Sequence, residues 1–555
     1  MVKIFCKNTG TSKEFSEGTS LLEISSFFDF PKPHDIISAK VNYVTQGLKY
    51  RVYNNRTVEF LDYTSYTGRS MYCRSLCFLT CKAIKDLWPD LKVSLRRPIS
   101  KGYFCTLRDQ EGRPVTPDVE AIRARMKEIV ASGHEFRRHE VQVEEAIEMF
   151  RRLGYDDKVR LLETCGETYI SYYTLDGTPD YFYDALVPSA SYLKVWDLIP
   201  FHGGFILMIP DRHDPDKVNR YVSEPKTLET IYENIKWNRY MDLDCVGDVN
   251  KACQNGKASE IIQIAEALQE RKIVQIADEI ERRFHSGTPL RVVLIAGPSS
   301  AGKSTFCLRL STQLKACGLR PVFFSTDDYF VNRLDTPRLP DGSFDFDNFE
   351  TVDHRALERD VQRLLAGEIV DIPEYNFVTG LREYNGKSLK LAERSVLIIE
   401  GIHALNPGLI PSVPKESQFR IFISTVTSIS LDEHNSIPTS DNRLLRRIIR
   451  DYKKGAFSAV ETIRQWPNVR RAEAKWIYPY MESADVLFNS AYLVEFAVLR
   501  SHAEQILATV PKNCPEYSEA HRLLKFLHYF VPVSDKDIPA TSLIRSFIGG
   551  GSLGA

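Results

Sequence analysis

The sequence predicts an α/β protein: a mostly parallel sheet with helices on both faces fills the C-terminal half, behind a small mixed α/β module and an α+β middle region. Two observations carry this. From "TPLRVVLIAG" onward, short apolar strand patterns alternate with amphipathic helix patterns, the signature of βαβ units. The first 62 residues instead read as short strand-like runs separated by turn signals, too brief for crossover helices.

In order, "VKIFC", "KNTGTSKEF", "DIISAKVNYV", "YRVYNN" and "TVEFLDY" are strand-like, with one helix expected over "GTSLLEISSFF", capped at Thr19 or Ser20. A long helix follows through "MYCRSLCFLTCKAIKDLWPD" and stops at Pro89; further helices are expected over "DVEAIRARMKEIVASG" and "VEEAIEMFRRLG", and strands over "YISYYTL" and "GFILMIP". Residues 226–287 read as a polar helical connector, and the terminal "GGGSLGA" as a mobile tail. The expected units are therefore 1–62, 63–225, 226–287 and 288–555.

A chain of 555 residues exceeds one core. Its 72 basic and 73 acidic residues give no net field to attract nucleic acid or an anionic membrane. Eleven cysteines without a CxxC pair indicate reduced thiols, which with the absence of a signal peptide or membrane-length apolar run places the expected compartment in the cytoplasm. Cys73, Cys77 and Cys81 share one helix face among Leu76, Leu79 and Ile84, so they are read as core rather than as a metal site, and His202 as a turn residue.

"GPSSAGKST" fits G-x-x-x-x-G-K-[ST] between an apolar strand, "VVLIA", and a helix, "TFCLRLSTQLKACG". Glycines let backbone N–H groups turn inward around phosphates, so Gly297, Pro298, Ser299, Ser300, Ala301, Gly302, Lys303, Ser304 and Thr305 are the expected cradle for a nucleoside triphosphate. Lys303 would reach the β- and γ-phosphates and Ser304 a Mg²⁺ ion. Asp327 and Asp328, after "PVFFST", and Glu400, ending "SVLIIE", fall at the C-terminal ends of strands, where open α/β sheets bind ligands. Asp327 and Glu400 are the expected metal ligands or proton acceptors; Asp328 is undecided. In "NRLLRRIIRD", Arg443, Arg446, Arg447 and Arg450 fall on one helix face, with Leu444, Leu445, Ile448 and Ile449 largely opposite. That face is either a solvated basic surface or a mobile lid closing over the transferred phosphate.

These pieces, with "FDFDNFETVD", "IPEYNFVTG" and "IIEGIHAL" in one order, resemble the uridine kinase and phosphoribulokinase family. The resemblance implies ATP- and Mg²⁺-dependent phosphoryl transfer to a sugar hydroxyl, most plausibly the 5′-hydroxyl of a nucleoside, with assembly into a homo-oligomer as an option. By position it implies Asp327 as base, Ser304 and Glu400 as the metal pair, Asp347 on the sugar hydroxyls, Tyr375 and Gln465 beside the base, and the arginines as lid. Where pyrimidine nucleoside kinases carry a base-contacting His, this chain has Gly380, which leaves a non-nucleoside sugar or polyol open as acceptor. The front half resembles the N-terminal modules of threonyl-tRNA synthetases, a TGS-like β-grasp module followed by an editing-type domain. The expected editing ligands are replaced by Arg74, Phe78, Phe182 and Leu186, so hydrolytic chemistry is expected to be lost. A translation-linked nucleotide switch holding tRNA is the alternative from another class. Against it stand the missing N-K-x-D motif and a first module of eight Lys/Arg and seven acids.

Overall fold

The computed structural model describes residues 1–31, 34–287, 290–427 and 429–553. Residues 288 and 289, where the kinase unit was expected to begin, and 554–555 of the tail lie outside the described residues. The front module is a five-stranded sheet in the order Thr11–Phe15, Val2–Cys6, Arg56–Leu61, Ser38–Val41, Val44–Gly47, with Val2–Cys6 parallel to Arg56–Leu61. Its helix, Leu21–Ser26, starts at Ser20, whose hydroxyl caps Glu23 while the Glu23 carboxylate accepts the Ser20 backbone N–H.

Next comes the 22-residue helix α1 (Tyr66–Leu87), which shares a core with Val119–Ser132 and the sheet that includes Gly102–Arg108 and Gly204–Met208. Cys73, Cys77 and Cys81 are all buried along α1, and burial pushes all three thiols up, Cys73 to about 11. The Cys81 sulfur lies within 4.8 Å of ligand atoms of Asp180 and His434. The Lys158 ammonium, 3.0 Å from Asp180 and 3.2 Å from Asp432, already supplies the cation there. His202 occupies a left-handed turn, its ring edge-on to Phe201.

The C-terminal half is built on five parallel strands: β1 (Val292–Ala296), β2 (Arg320–Ser325), β3 (Ser395–Glu400), β4 (Gln418–Ser424) and β5 (Val486–Asn489), in the order β2-β3-β1-β4-β5. β1 and β3 are buried at every position, as expected for strands covered on both faces. Helix α2 (Lys303–Ala316) packs on one face, and His354–Leu365 on the other. Beyond the sheet lie α3 (Thr439–Lys453), α4 (Ala459–Trp476) and α5 (Tyr517–Leu527).

Two expectations are corrected. The stretch taken as a connector is part of the fold: Ile273, Ile276 and Ile280 of helix Ala258–Phe284 enter the α2 core, and Arg309 of α2 bonds to Glu266 and Glu270 on it. The C-terminal tail is docked through residue 552, whose N–H donates to the Ala540 carbonyl. One hydrophobic core runs from Phe150 and Leu161 through Val249 to Leu445 and Leu523, so front and back halves share an interior.

The Lys158 cluster sits in that shared interior. Lys158, Asp180, Asp432 and His434 are all buried, and they tie the middle region to the loop entering α3. Burial alone would raise the Asp180 carboxyl; His434 and Lys158 beside it hold it down at about 2. Removing one partner leaves charge uncompensated in a dry site, at ~3–5 kcal/mol. Lys158→Met should therefore lower the urea midpoint of unfolding of the whole chain, whereas Lys7→Met, which removes an exposed partner of Glu59, should cost far less.

Candidate active site

Because β1, β2 and β3 are parallel neighbours, their C-terminal ends deliver three loops to one edge. Ser325 is in register with Glu400, and Glu400 with Ile295, so Asp327, Glu400 and the loop after β1 must meet there. That loop is shaped by two glycines. A Cβ at Gly297 would lie 2.4 Å from the Ile423 carbonyl; Gly302 has φ +87 and faces open space. Lys303 and Ser304 then form the first turn of α2, whose N-terminus favours anions.

The Lys303 ammonium lies 3.9 Å from Glu400, and the Ser304 hydroxyl is 3.4 Å from the other Glu400 oxygen. Burial raises Glu400 from an ordinary 4.5 to about 7, with Lys303 pulling it down and Asp327 pushing it up. Burial also raises Asp327, again opposed by Lys303. Asp328, whose carboxyl is likewise raised by burial, faces Lys387 and the Tyr375 backbone instead. Of the two aspartates, Asp327 is the one turned toward the phosphate loop. Gly401 fixes this arrangement: a Cβ there would fall 1.7 Å from the Thr326 hydroxyl.

Ser304, Glu400 and Asp327 offer hard oxygen donors around a spot where one buried and one half-buried carboxyl have one ammonium between them. Such a set suits Mg²⁺ and would be relieved by it.

Asp347 joins the group, half-buried and raised to about 6 by burial, with Arg447 lowering it and Asp327 adding repulsion. The Tyr375 ring packs against Phe330 and Phe377, its hydroxyl buried without a hydrogen-bond partner. Gly380 has a local reason: with φ +74 it closes a turn, and a Cβ there would lie 2.8 Å from the Arg333 side chain. The room a larger residue would need is filled by Arg333. Gln465 is half-buried on α4, and no hydrogen bond ties it to these groups among the described residues.

The arginine helix differs from both readings of it. α3 is neither a solvated face nor a free lid, because both its sides are covered. Arg443 and Arg446 are fully buried, paired with Glu473 and Glu495. They are also directed at the phosphate loop: Arg443 donates to the Ser299 carbonyl at 3.1 Å, Arg446 to the Ser300 carbonyl at 3.3 Å, and Arg447 to the Ser299 hydroxyl at 3.2 Å. Arg450 bonds to Asp451 and makes no such contact. Guanidinium with a matched carboxylate can be buried where a bare cation cannot, and here the pairs clamp the loop backbone. Glu473 and Glu495 were not singled out from the sequence; they lie 30 and 49 residues beyond their partners on other helices. His403 was in view within "EGIHAL" but unremarked. It is buried, and burial lowers it to about 4 against the backbone of Asn348 and Asp347 beside it.

In the front half, the four positions at which the resemblance places editing ligands come together without ligating chemistry. The Phe78 and Phe182 rings pack at 5.3 Å, Leu186 shares their core, and Arg74 pairs with Asp184 at 3.3 Å.

Comparison with known proteins agrees with this division. Residues 292–496 match the phosphoribulokinase/uridine kinase family, and that part of the chain is a P-loop kinase domain of this family. The N-terminal region is similar to threonine–tRNA ligases: 28% identical to that of Desulforamulus reducens over 37% of this chain and 32% of the ligase, and 30% identical to that of Finegoldia magna over 28% and 25%. The chain thus spans about a third of the length of the first of these relatives. A solved structure named as a possible uridine kinase from Bacillus stearothermophilus aligns over 40% of this chain and 98% of its own, with 19% identity and a TM-score of 0.28. Among the described residues no helix is long and apolar enough to cross a membrane.

The raised Glu400 carboxyl yields a pH signature. The folded chain holds that proton more tightly than the unfolded one, so its contribution is present below about 4.5 and is lost as pH rises through about 7, a swing of ~3 kcal/mol. Thermal denaturation of the nucleotide-free chain should show stability falling across that window. Glu400→Gln should flatten the fall and raise the melting temperature at pH 8.

Proposed function

We propose that the protein is an ATP-dependent kinase that transfers the γ-phosphoryl group to a hydroxyl of a small molecule, with a nucleoside 5′-hydroxyl as the first-choice acceptor. The observation that carries this reading is the meeting of Lys303, Glu400 and Asp327 at one strand edge over a glycine-shaped loop. In this reading residues 297–305 wrap the triphosphate through backbone N–H groups and Lys303 neutralises the β- and γ-oxygens. Asp327 accepts the acceptor's hydroxyl proton as the oxygen attacks phosphorus in line and ADP leaves. Asp347 holds neighbouring hydroxyls, and Tyr375 and Gln465 border the rest of the acceptor. Mg²⁺, held by Ser304, Glu400 and Asp327, would supply charge neutralisation at the phosphates. Arg443, Arg446 and Arg447 act by fixing the loop that binds ATP, not by swinging over it; Arg450 is the arginine left to reach outward. Catalysis is then positioning and electrostatics.

A second acceptor class, a non-nucleoside sugar or polyol, is favoured by one observation: Arg333 fills the space beside Gly380, where a base-contacting imidazole would stand. The proposed units are a TGS-like module at 1–62, an editing-like domain at 63–225, helices at 226–287 and the kinase from 288. A cytoplasmic location and a homo-oligomeric assembly belong to the same proposal.

ADP release measured with nucleosides, pentose phosphates and polyols should single out one acceptor class. With that acceptor, Asp327→Asn should lower turnover by about 100-fold or more while leaving ATP affinity within a few-fold. Lys303→Ala should weaken ATP binding as well as transfer. Full turnover by Asp327→Asn would remove the assigned base.

A further inference from the structure

Among the described residues no front-half side chain pairs with Lys303, Glu400 or Asp327, yet the front half encloses with α5 a cavity of about 1070 Å³. Its walls include Tyr66 and Arg74 of α1, Tyr173, Tyr183, and Arg522 and Lys525 of α5. That volume is at the upper end of small-ligand sites and well beyond what a few waters occupy.

The chemistry of the lining is specific. Across the whole lining six Lys/Arg stand against five carboxyls, so no broad field exists; Arg74 and Arg522 are each paired with a lining carboxyl, Asp184 and Glu519, and Lys525 adds a further cation. Arg74 spends its terminal nitrogens on Asp184, Ala185 and Ser70, while its buried Nε–H has no acceptor among the described residues. Lys525 is exposed on the rim and makes no ion pair among the described residues. Arg522 completes the set, held by Asp441 outside the cavity lining and by Glu519 within it, at 2.7 and 2.6 Å. A buried N–H without an acceptor and an unpaired ammonium call for an anion. The tyrosine faces beside them, with Arg74 over Tyr183 at 5.2 Å and Arg522 over Tyr66 at 5.8 Å, offer stacking for a flat ring.

Arg522 is also wired to the kinase loop. It donates to Asp441 at 2.7 and 3.0 Å, and Asp441 sits in the first turn of α3. From the same helix Arg443, Arg446 and Arg447 hold Ser299 and Ser300. An anion seated beside Arg522 would have to displace Glu519 on the cavity side and would draw the guanidinium away from Asp441, loosening the helix that clamps the loop.

We propose that this cavity is an effector site for a small ring-bearing anion, and that its occupancy weakens the grip of the phosphate loop on ATP through Arg522, Asp441 and α3. The binding half stands alone; the coupling half rests on the reading of residues 297–305 as an ATP site.

The test begins with equilibrium dialysis of the full chain, its phosphate loop filled with a non-hydrolysable ATP analogue. The probes are AMP, UMP and phenylpyruvate, with uridine and ribose 5-phosphate as controls lacking the anion or the ring. At least one ring-bearing anion should be retained, nucleotide or carboxylate identifying its source, and Lys525→Glu and Tyr173→Leu should each weaken retention about tenfold. No retention, or retention untouched by both variants, overturns the site. With the retained probe at saturation, a fluorescent ATP analogue should bind about threefold more weakly, and Asp441→Asn, which still retains the probe, should abolish that shift. ATP affinity indifferent to the probe overturns the coupling. Dialysis needs no phosphoryl transfer, so a chain that retains the probe but phosphorylates no acceptor refutes the kinase reading alone.

Discussion

One ammonium serves two carboxyls, Glu400 buried and Asp327 half-buried. Lys303 stands against both Glu400 and Asp327 at an edge where neither acid has another fixed cation, and burial raises both carboxyls. This imbalance is maintained by the surrounding fold: parallel register brings the strand ends level, and Gly401 leaves room for Thr326 and hence for Asp327. A site built this way has unspent electrostatic capacity, which is what a phosphate chain with its divalent cation would draw on.

The arginine helix solves the opposite problem. It carries more positive charge than an interior tolerates, and the fold answers with Glu473 and Glu495 from two other helices. Buried pairs of this kind contribute little net stability, but they fix orientation, here of the loop carbonyls at Ser299 and Ser300. The phosphate loop is therefore held from outside by α3 as well as shaped from within by glycine.

The front half belongs to the same body. A continuous core and the Lys158–Asp432 pair join it to the kinase domain at separate points. In its interior the Phe78 and Phe182 rings pack together, and Arg74 with Asp184 keeps the adjoining side polar and open to the cavity.

How much of this was legible in the chain differs by element. The loop at 297–304, the strand-end positions of Asp327 and Glu400, and the Ser20 cap follow from local pattern, because turn geometry and strand ends are short-range consequences of residue type. The parallel sheet followed from the alternation of strand and helix patterns. What only tertiary structure decided is pairing between distant groups: that the Arg443 helix is clamped rather than free, that Asp327 and not Asp328 turns to Lys303, that Arg333 occupies the space at Gly380, and that a supposed connector is a packed layer. Helical periodicity specifies which side chains share a face but not what will cover that face. Burial and its charge compensation are set by elements tens to hundreds of residues away, and no local signal carries that information.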